Sequence, residues 1–138
     1  MGEGRPRASK DMQYKALTVD DSKLARMMMA SAFRRIRPEW QLLEAANADD
    51  ALDVISAGSV DVALVDLNMP GIDGLALVAK IREKHPRMPV AVVSANVQEE
   101  VIARARELNA AFVPKPLTDE ALGAFLSGAA LRLKKAAR

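Results

Sequence analysis

Two hydrophobic patterns alternate along the chain. Short apolar runs rich in Val, Leu and Ala predict β-strands at residues 15–19, 41–45, 60–66, 89–94 and 111–113. Between these runs, apolar residues recur every three or four positions, which predicts amphipathic helices at residues 22–35, 49–57, 73–84, 98–108 and 118–135. The sequence is therefore expected to contain five strands and five helices in alternation.

This alternation predicts an α/β fold, a doubly wound five-stranded parallel sheet with helices on both faces. The runs at 60–66 and 89–94 are apolar almost throughout, as expected for strands that are covered on both faces. Ser22 and Thr118 stand where helix N-caps are expected. In doubly wound sheets, ligands bind at the carboxyl ends of the strands, so candidate functional residues are sought there.

The composition fits one globular domain and excludes several kinds of site. The chain has 138 residues, of which 50% are hydrophobic, and this suits one domain with one core. It has no cysteine and a single histidine, so disulfides, thiolate zinc sites and histidine-cluster metal sites are excluded. The longest apolar run, residues 75–79, is far shorter than the roughly 18 residues of a membrane span. The N-terminal residues lack a signal-peptide pattern, so we expect a cytoplasmic protein that does not bind membranes.

The positive charge lies at the two ends of the chain. The net charge is +2, but residues 1–15 contribute +2 and residues 132–138 contribute +4, so the remainder is negative. Because only five residues are aromatic and the basic charge is terminal, nucleic-acid binding is not expected. We interpret residues 1–13 as a flexible arm or vector remnant, 14–135 as the domain and 136–138 as a C-terminal tail.

Polar side chains that could bind a metal or an anion follow or end the predicted strands. They are Asp20 and Asp21 after the first strand, Asp66 at the end of the third, Ser94 at the end of the fourth and Lys115 after the fifth. Carboxylates about 5 Å apart repel by about 3 kcal/mol per pair at an effective dielectric constant of 20, so the cluster needs a cation. With only oxygen ligands available, Mg²⁺ or Ca²⁺ is favoured, and Mg²⁺ suits a set of carboxylates, waters and a phosphate oxygen.

Lys115 and Ser94 indicate an anion beside this metal. A lysine can neutralise a phosphoryl group, and a hydroxyl can donate a hydrogen bond to it. A carboxylate held against a divalent cation can attack phosphorus and form an aspartyl phosphate. The pattern thus predicts phosphoryl transfer onto an aspartate.

Each residue also has a purely structural interpretation. An Asp-Asp pair before a helix is commonly an N-cap, and Asp66 before Asn68 can begin a turn. A calcium-binding EF-hand loop beginning at Asp66 is excluded, because its fifth position is Pro70 and its twelfth is Leu77, where a bidentate Glu is required. The joint occurrence of such residues at successive strand ends favours the functional interpretation.

Four segments carry a family resemblance: LTVDDS at 17–22, VALVDLNMPGIDG at 62–74, VVSA at 92–95 and FVPKP at 112–116. Together and in this order they resemble the receiver domains of two-component response regulators, in particular the stand-alone CheY-like members. The resemblance runs from about residue 15 to residue 135. It implies a flavodoxin-like fold with strand order 2-1-3-4-5.

The resemblance also implies roles for individual residues. Asp66 corresponds to the phosphoacceptor, and Ser94 and Lys115 correspond to the residues that contact its phosphoryl group. Mg²⁺ would be held by Asp20, Asp21, Asp66 and the backbone carbonyl of Asn68. The peptide bond between Lys115 and Pro116 is expected to be cis.

Ser94 and Phe112 correspond to the switch residues of the family. Here Ser replaces the more common Thr, and Phe lacks the hydroxyl of the usual Tyr, so switching would depend on ring packing. Asn68 and Asn96 would flank the attacking water and set the lifetime of the phosphate.

The resemblance implies a phosphorylation-controlled signalling switch rather than a conventional enzyme, with self-catalysed phosphoryl transfer and autodephosphorylation. Its expected partners are a histidine kinase or a histidine phosphotransfer domain and a downstream protein target, and the chain is expected to be a monomer. Three alternatives stay open: a receiver cut from a larger regulator or hybrid kinase, a phosphorylation-independent binding scaffold, and a magnesium-dependent phosphatase.

Three consecutive methionines, Met27 to Met29, fall in the first predicted helix. Because successive helical residues are 100° apart, three cannot all face a core stripe about 100° wide. At least one must reach the edge, where it either packs adaptably or joins a docking face for the phosphodonor protein.

Overall fold

A five-stranded parallel sheet forms the centre of the computed structural model, which describes residues 13–68 and 74–137. The strands are β1 (Lys15–Val19), β2 (Gln41–Ala45), β3 (Val62–Asp66), β4 (Val90–Ser94) and β5 (Ala111–Pro114). Their spatial order is β2-β1-β3-β4-β5, and all neighbours are parallel. The predicted fold class and strand order are confirmed.

Helices connect the strands in the predicted alternation. They are α1 (Lys23–Ile36), α2 (Ala48–Ser56), α3 (Gly74–Lys84), α4 (Glu99–Glu107) and α5 (Asp119–Ala137). The predicted start of α3 at Asp73 and residues 1–12 of the predicted arm lie outside the described residues. The predicted tail at 136–138 is partly helical, because the Lys- and Ala-rich end of α5 contains no helix breaker and continues to Ala137.

Side-chain caps and turns account for the element boundaries. Ser22 caps α1 as predicted, and its hydroxyl accepts a hydrogen bond from Ala25 N–H at 3.1 Å. Helix α2 begins one residue earlier than predicted, because Asn47 Oδ1 accepts from Asp50 N–H at 2.8 Å and acts as the cap. Strand β3 begins at Val62 rather than at residue 60, because Gly58 and Ser59 adopt positive φ angles and form a turn.

Each face of the sheet has its own hydrophobic cluster. Strand residues that alternate along β3 point to opposite faces: Ala63 and Val65 pack towards α2, α3 and α4, whereas Val62 and Leu64 pack towards α1 and α5. All four are buried. This two-sided burial explains why the middle strands read as continuous apolar runs.

The methionine run divides between core and surface. Met29 is buried beneath the sheet, whereas Met27 and Met28 are 56% and 64% exposed. Leu24, one turn earlier, is also 65% exposed, so the three exposed apolar residues share one face of α1. Among the described residues, no helix is both long enough and apolar enough to cross a membrane.

Candidate functional site

Three carboxylates meet at the carboxyl ends of β1 and β3. These strands are direct neighbours with Val19 opposite Val65, so Asp20 follows β1 at the level where Asp66 ends β3. Asp20, Asp21 and Asp66 each offer an oxygen within 4.8 Å of the others. Asp20 and Asp66 are buried, whereas Asp21 is exposed. The sheet therefore brings the three predicted acidic residues together in one cluster, which is accessible to solvent at Asp21.

Lys115 reaches this cluster from the loop after β5. Its Nζ donates to Asp66 Oδ1 at 2.8 Å, and the Asp66 side chain is only 5% exposed. The backbone of the same loop is held by Lys115 N–H, which donates to the carbonyl of Ser94 at 3.0 Å. The bond between Lys115 and Pro116 is cis, as expected. A buried carboxylate thus contacts a cation and lies within 4.8 Å of two further carboxylates.

Burial raises the pKa of the Asp20 carboxyl above its ordinary value, and the hydrogen bond from Ser22 N–H to Asp20 Oδ1 opposes this effect. The negative charges of Asp66 and Asp21 also raise this pKa, whereas the positive charge of Lys115 lowers it. Ionisation of Asp20 is thus less favourable in the cluster than it is in water. A bound cation would relieve that cost.

The donor set fits a hard divalent cation. All three side chains offer carboxylate oxygens, and the cluster contains no nitrogen or sulfur ligand among the described residues. Oxygen-only sets suit Mg²⁺ or Ca²⁺ rather than the softer transition metals. The acidic cluster could therefore hold a metal, and the described residues fit the ion that the sequence predicts.

Ser94 lies beside the cluster but is engaged with its own loop. It is fully buried, and its Oγ accepts a hydrogen bond from Asn96 N–H at 2.9 Å. Asn96 Oδ1 in turn accepts from Gln98 N–H at 3.0 Å, just before α4. Any shift of the Ser94 hydroxyl towards an anion on Asp66 must therefore disturb the β4–α4 loop.

Phe112 and Asn68, the other predicted site residues, belong to the two strands that flank β4: Phe112 lies in β5, and Asn68 follows β3. Phe112 in β5 is half-buried and packs against the hydrophobic cluster on the α4 side of the sheet. Asn68 is exposed two residues beyond Asp66, and the intervening Leu67 N–H donates to Val93 O at 3.1 Å. The predicted roles of Ser94, Phe112 and Asn68 stay predictions, and residues 69–73 lie outside the described residues.

Two residues that the sequence reasoning did not single out contact this site. Gly74 lies against β3, so close that a Cβ there would stand 2.6 Å from Asp66 O and 2.7 Å from Leu67 Cδ2. Only glycine leaves room for α3 to begin beside the candidate phosphoacceptor. The other is Arg26, whose guanidinium donates to the backbone carbonyl of Asp20 at 2.6 Å. No periodicity or motif marks Arg26, since an arginine in the first turns of a helix is ordinary.

Comparisons with known proteins agree with this architecture. A family model for the response regulator receiver domain matches residues 16–127. The chain is 33% identical over 109 residues to the DNA-binding transcriptional regulator NtrC of Klebsiella pneumoniae, covering 78% of this chain and 23% of the relative. It is 34% identical over 120 residues to the sensor histidine kinase RcsC of Salmonella typhi, covering 86% of this chain and 12% of the relative.

The fold is also found among solved structures. The chemotaxis protein CheY4 of Vibrio cholerae superposes with a TM-score of 0.78 at 24% identity, covering 85% of this chain and 98% of that one. The chain spans less than a quarter of the length of the two curated relatives. From the matched family model and the site at the strand ends, the chain belongs to the response regulator receiver domain family, whose members serve phosphorylation-controlled signalling in two-component systems.

Proposed function

We propose that this protein is a signalling switch that accepts a phosphoryl group on Asp66 from a phosphohistidine donor. The observation that carries the proposal is the buried Asp66 carboxylate, which contacts Lys115 Nζ at 2.8 Å and lies within 4.8 Å of Asp20 and Asp21. A nucleophile between a cation and a metal-binding pair is the arrangement that phosphoryl transfer requires. The donor would be a histidine kinase or a histidine phosphotransfer domain.

The residues divide the chemistry between them. An oxygen of Asp66 forms the new bond to phosphorus while the bond from phosphorus to the donor nitrogen breaks, and that electron pair stays on the imidazole. Lys115 neutralises part of the charge on the transferred group. Asp20, Asp21, Asp66 and the carbonyl of Asn68 would hold Mg²⁺, which when bound stabilises the charge on the phosphoryl oxygens.

Phosphorylation of the wild-type chain tests this function. Incubation with acetyl phosphate and Mg²⁺ is expected to add about 80 Da, the mass of one phosphoryl group, as measured by intact-protein mass spectrometry. No label should form when EDTA removes the metal before acetyl phosphate is added. A phosphorylation-independent scaffold would show no label under either condition, and a small-molecule phosphatase would release phosphate without retaining it.

The switch is proposed to run from Asp66 through Ser94 to Phe112. The phosphoryl group brings up to two negative charges next to Ser94, and a charge-assisted hydrogen bond to it is worth about 1.5 to 3 kcal/mol. Drawing Ser94 towards the phosphate breaks its contact with Asn96 and frees space beside β5, into which Phe112 can turn. A bias of about 2 kcal/mol shifts the ratio of inactive to active states about thirtyfold.

Ser94→Ala is therefore expected to accept the phosphoryl group on Asp66 but to propagate the resulting conformational change poorly. Beryllofluoride with Mg²⁺ should shift the amide resonances of residues 66–68, 94–97 and 112–125 in the wild type. In Ser94→Ala the shifts should stop near Asp66. Equal propagation in both proteins would refute this route but would not affect the assignment of Asp66 as the phosphorylation site.

The exposed apolar face of α1 is proposed as the contact for the donor protein. Leu24, Met27 and Met28 share this face, and Met28 lines one pocket with Asp20 of the acidic cluster. Methionine adapts to varied apolar partners. A donor that binds there could present its phosphohistidine to Asp66.

The donor for this test is the histidine kinase, from a purified panel, that phosphorylates the wild type fastest. Met27→Lys is expected to slow phosphotransfer from this kinase about tenfold, as for an apolar contact residue. Labelling by acetyl phosphate should stay within about twofold, because a small phosphodonor does not depend on a protein contact with the exposed face of α1. Leu131→Lys, at a residue that is 63% exposed on α5, is the matched control and should behave as wild type. Equal slowing in both variants, or none in Met27→Lys, would exclude this face.

A further inference from the structure

A largely buried arginine connects the acidic loop to the edge strand of the sheet. Arg26 lies in the first turn of α1, and its side chain is only 16% exposed. Its Nη1 donates to the backbone carbonyl of Asp20 at 2.6 Å, and its Nε donates to Glu44 Oε1 in β2 at 3.0 Å. One guanidinium therefore bridges the β1–α1 loop and β2.

We propose that Arg26 is a positioning residue for the metal site, an inference that rests on the proposed function. The backbone of Asp20 is held from both sides: its N–H donates to Ala45 O at 3.1 Å, and its carbonyl accepts from Arg26. Its carboxylate is held as well, since Oδ1 accepts from Ser22 N–H at 3.0 Å. Of the three groups that hold Asp20, two are backbone groups and one is the Arg26 side chain. The contact with Arg26 is therefore the one that a substitution can remove.

The charge of Arg26 and its contacts act on cation binding in opposite directions. A positive charge beside the acidic cluster repels a second cation, so charge alone predicts that removing Arg26 strengthens Mg²⁺ binding. Arg26 contacts the Asp20 carbonyl rather than its carboxylate, and Glu44 neutralises the guanidinium. The positional effect should therefore dominate, and removing Arg26 should weaken Mg²⁺ binding. The sign of the change distinguishes the two accounts.

The planar fork of arginine suits this bridge better than lysine would. Nε and Nη1 point in fixed directions, so one side chain can bond to an acceptor on the loop and to another on the strand. A lysine ammonium keeps the charge, but its single nitrogen cannot reproduce the two fixed directions. Arg26→Lys should therefore restore only part of the effect.

Mg²⁺ titration of the metal-free 138-residue chain by calorimetry tests the proposal. Arg26→Met is expected to raise the Kd for Mg²⁺ about tenfold, the lower end of the range for residues that orient metal ligands. Arg26→Lys should fall between this variant and wild type. Arg104→Met removes the same charge from an exposed site on α4 with only a 3.9 Å ion pair, and it should keep the wild-type Kd.

Two further measurements separate positioning from general stability. Hydrogen exchange of the Asp20 amide, which donates to Ala45, should accelerate in Arg26→Met, and urea unfolding identifies the conditions in which each variant is fully folded. If Arg26→Met does not fold, Glu44→Ala releases the far end of the same bridge and should raise the Kd about threefold.

The outcomes are distinct. A Kd that is unchanged or lower in folded Arg26→Met overturns the positioning role, even if the variant unfolds more readily. Asp21→Ala, which removes a carboxylate of the cluster, reports on the proposed function itself. If the wild type binds Mg²⁺ and Asp21→Ala binds it at least tenfold more weakly, the proposed metal site is supported regardless of the result for Arg26→Met. If the wild type binds no Mg²⁺, both proposals fail together.

Discussion

Asp66→Asn is expected to abolish phosphoryl labelling while leaving the protein folded. The amide keeps the shape of the carboxylate and can still accept a hydrogen bond from Lys115, but it has no anionic oxygen to attack phosphorus. The change also removes the repulsion between Asp66 and two carboxylates within 4.8 Å, which offsets the lost ion pair with Lys115. The free energy of unfolding should therefore be equal to that of the metal-free wild type or higher.

The measurement is intact-mass labelling by acetyl phosphate with Mg²⁺, combined with urea unfolding of each protein. Asp53→Asn makes the same chemical change at an exposed position on α2 and should label as the wild type does. Labelling should fall at least a thousandfold in Asp66→Asn, because the carboxylates of Asp20 and Asp21 do not occupy the position from which Asp66 attacks phosphorus. Strong labelling of Asp66→Asn would move the phosphoacceptor to another residue and refute the assignment.

The sequence was sufficient to predict the fold class, because short apolar runs alternate with amphipathic helical segments along the chain. A strand such as β3, buried on both faces over Val62 to Val65, requires helices on each side of the sheet. Once the sheet is parallel, the carboxyl ends of its strands lie at one edge, and the strand order that the family resemblance implies places β1 beside β3, so Asp20 and Asp66 are expected to be close.

Contacts that depend on the direction of a side chain could not be predicted in this way. The sequence placed Ser94 at a strand end but could not reveal that its hydroxyl accepts a hydrogen bond from Asn96. Gly74 could be seen as a glycine at a helix start, but only the structure shows its close approach to Asp66 O. The same holds for helix starts such as Ala48, where Asn47 was one of several polar residues able to cap.

Arg82 illustrates the same limit away from the site. This arginine near the end of α3 donates to five backbone carbonyls, those of His85, Pro86, Met88, Leu108 and Asn109. Burial lowers the pKa of its guanidinium, and the charge of Arg132 lowers it further. These carbonyls lie in the loop before β4 and at the C-terminal end of α4, so one side chain ties together the elements that carry Ser94 and the adjoining helix.

Arg82→Leu is expected to lower the free energy of unfolding by about 3 kcal/mol, because it removes several charge-assisted hydrogen bonds and leaves partly buried carbonyls without their donor. Arg82→Lys should lose about half as much, since one ammonium cannot satisfy acceptors in so many directions. Urea unfolding followed by circular dichroism measures both.

Arg104→Leu is the matched control for Arg82→Leu. Its side chain is 55% exposed with only a 3.9 Å ion pair to Glu107, so its effect should stay within about 0.5 kcal/mol. If Arg82→Leu unfolds at the same urea concentration as Arg104→Leu, the five carbonyl contacts contribute no net stability. In that case α4 and the loop before β4 must be held by the buried contacts of Met88 and Ala105 instead, and hydrogen exchange in the two segments would be unchanged.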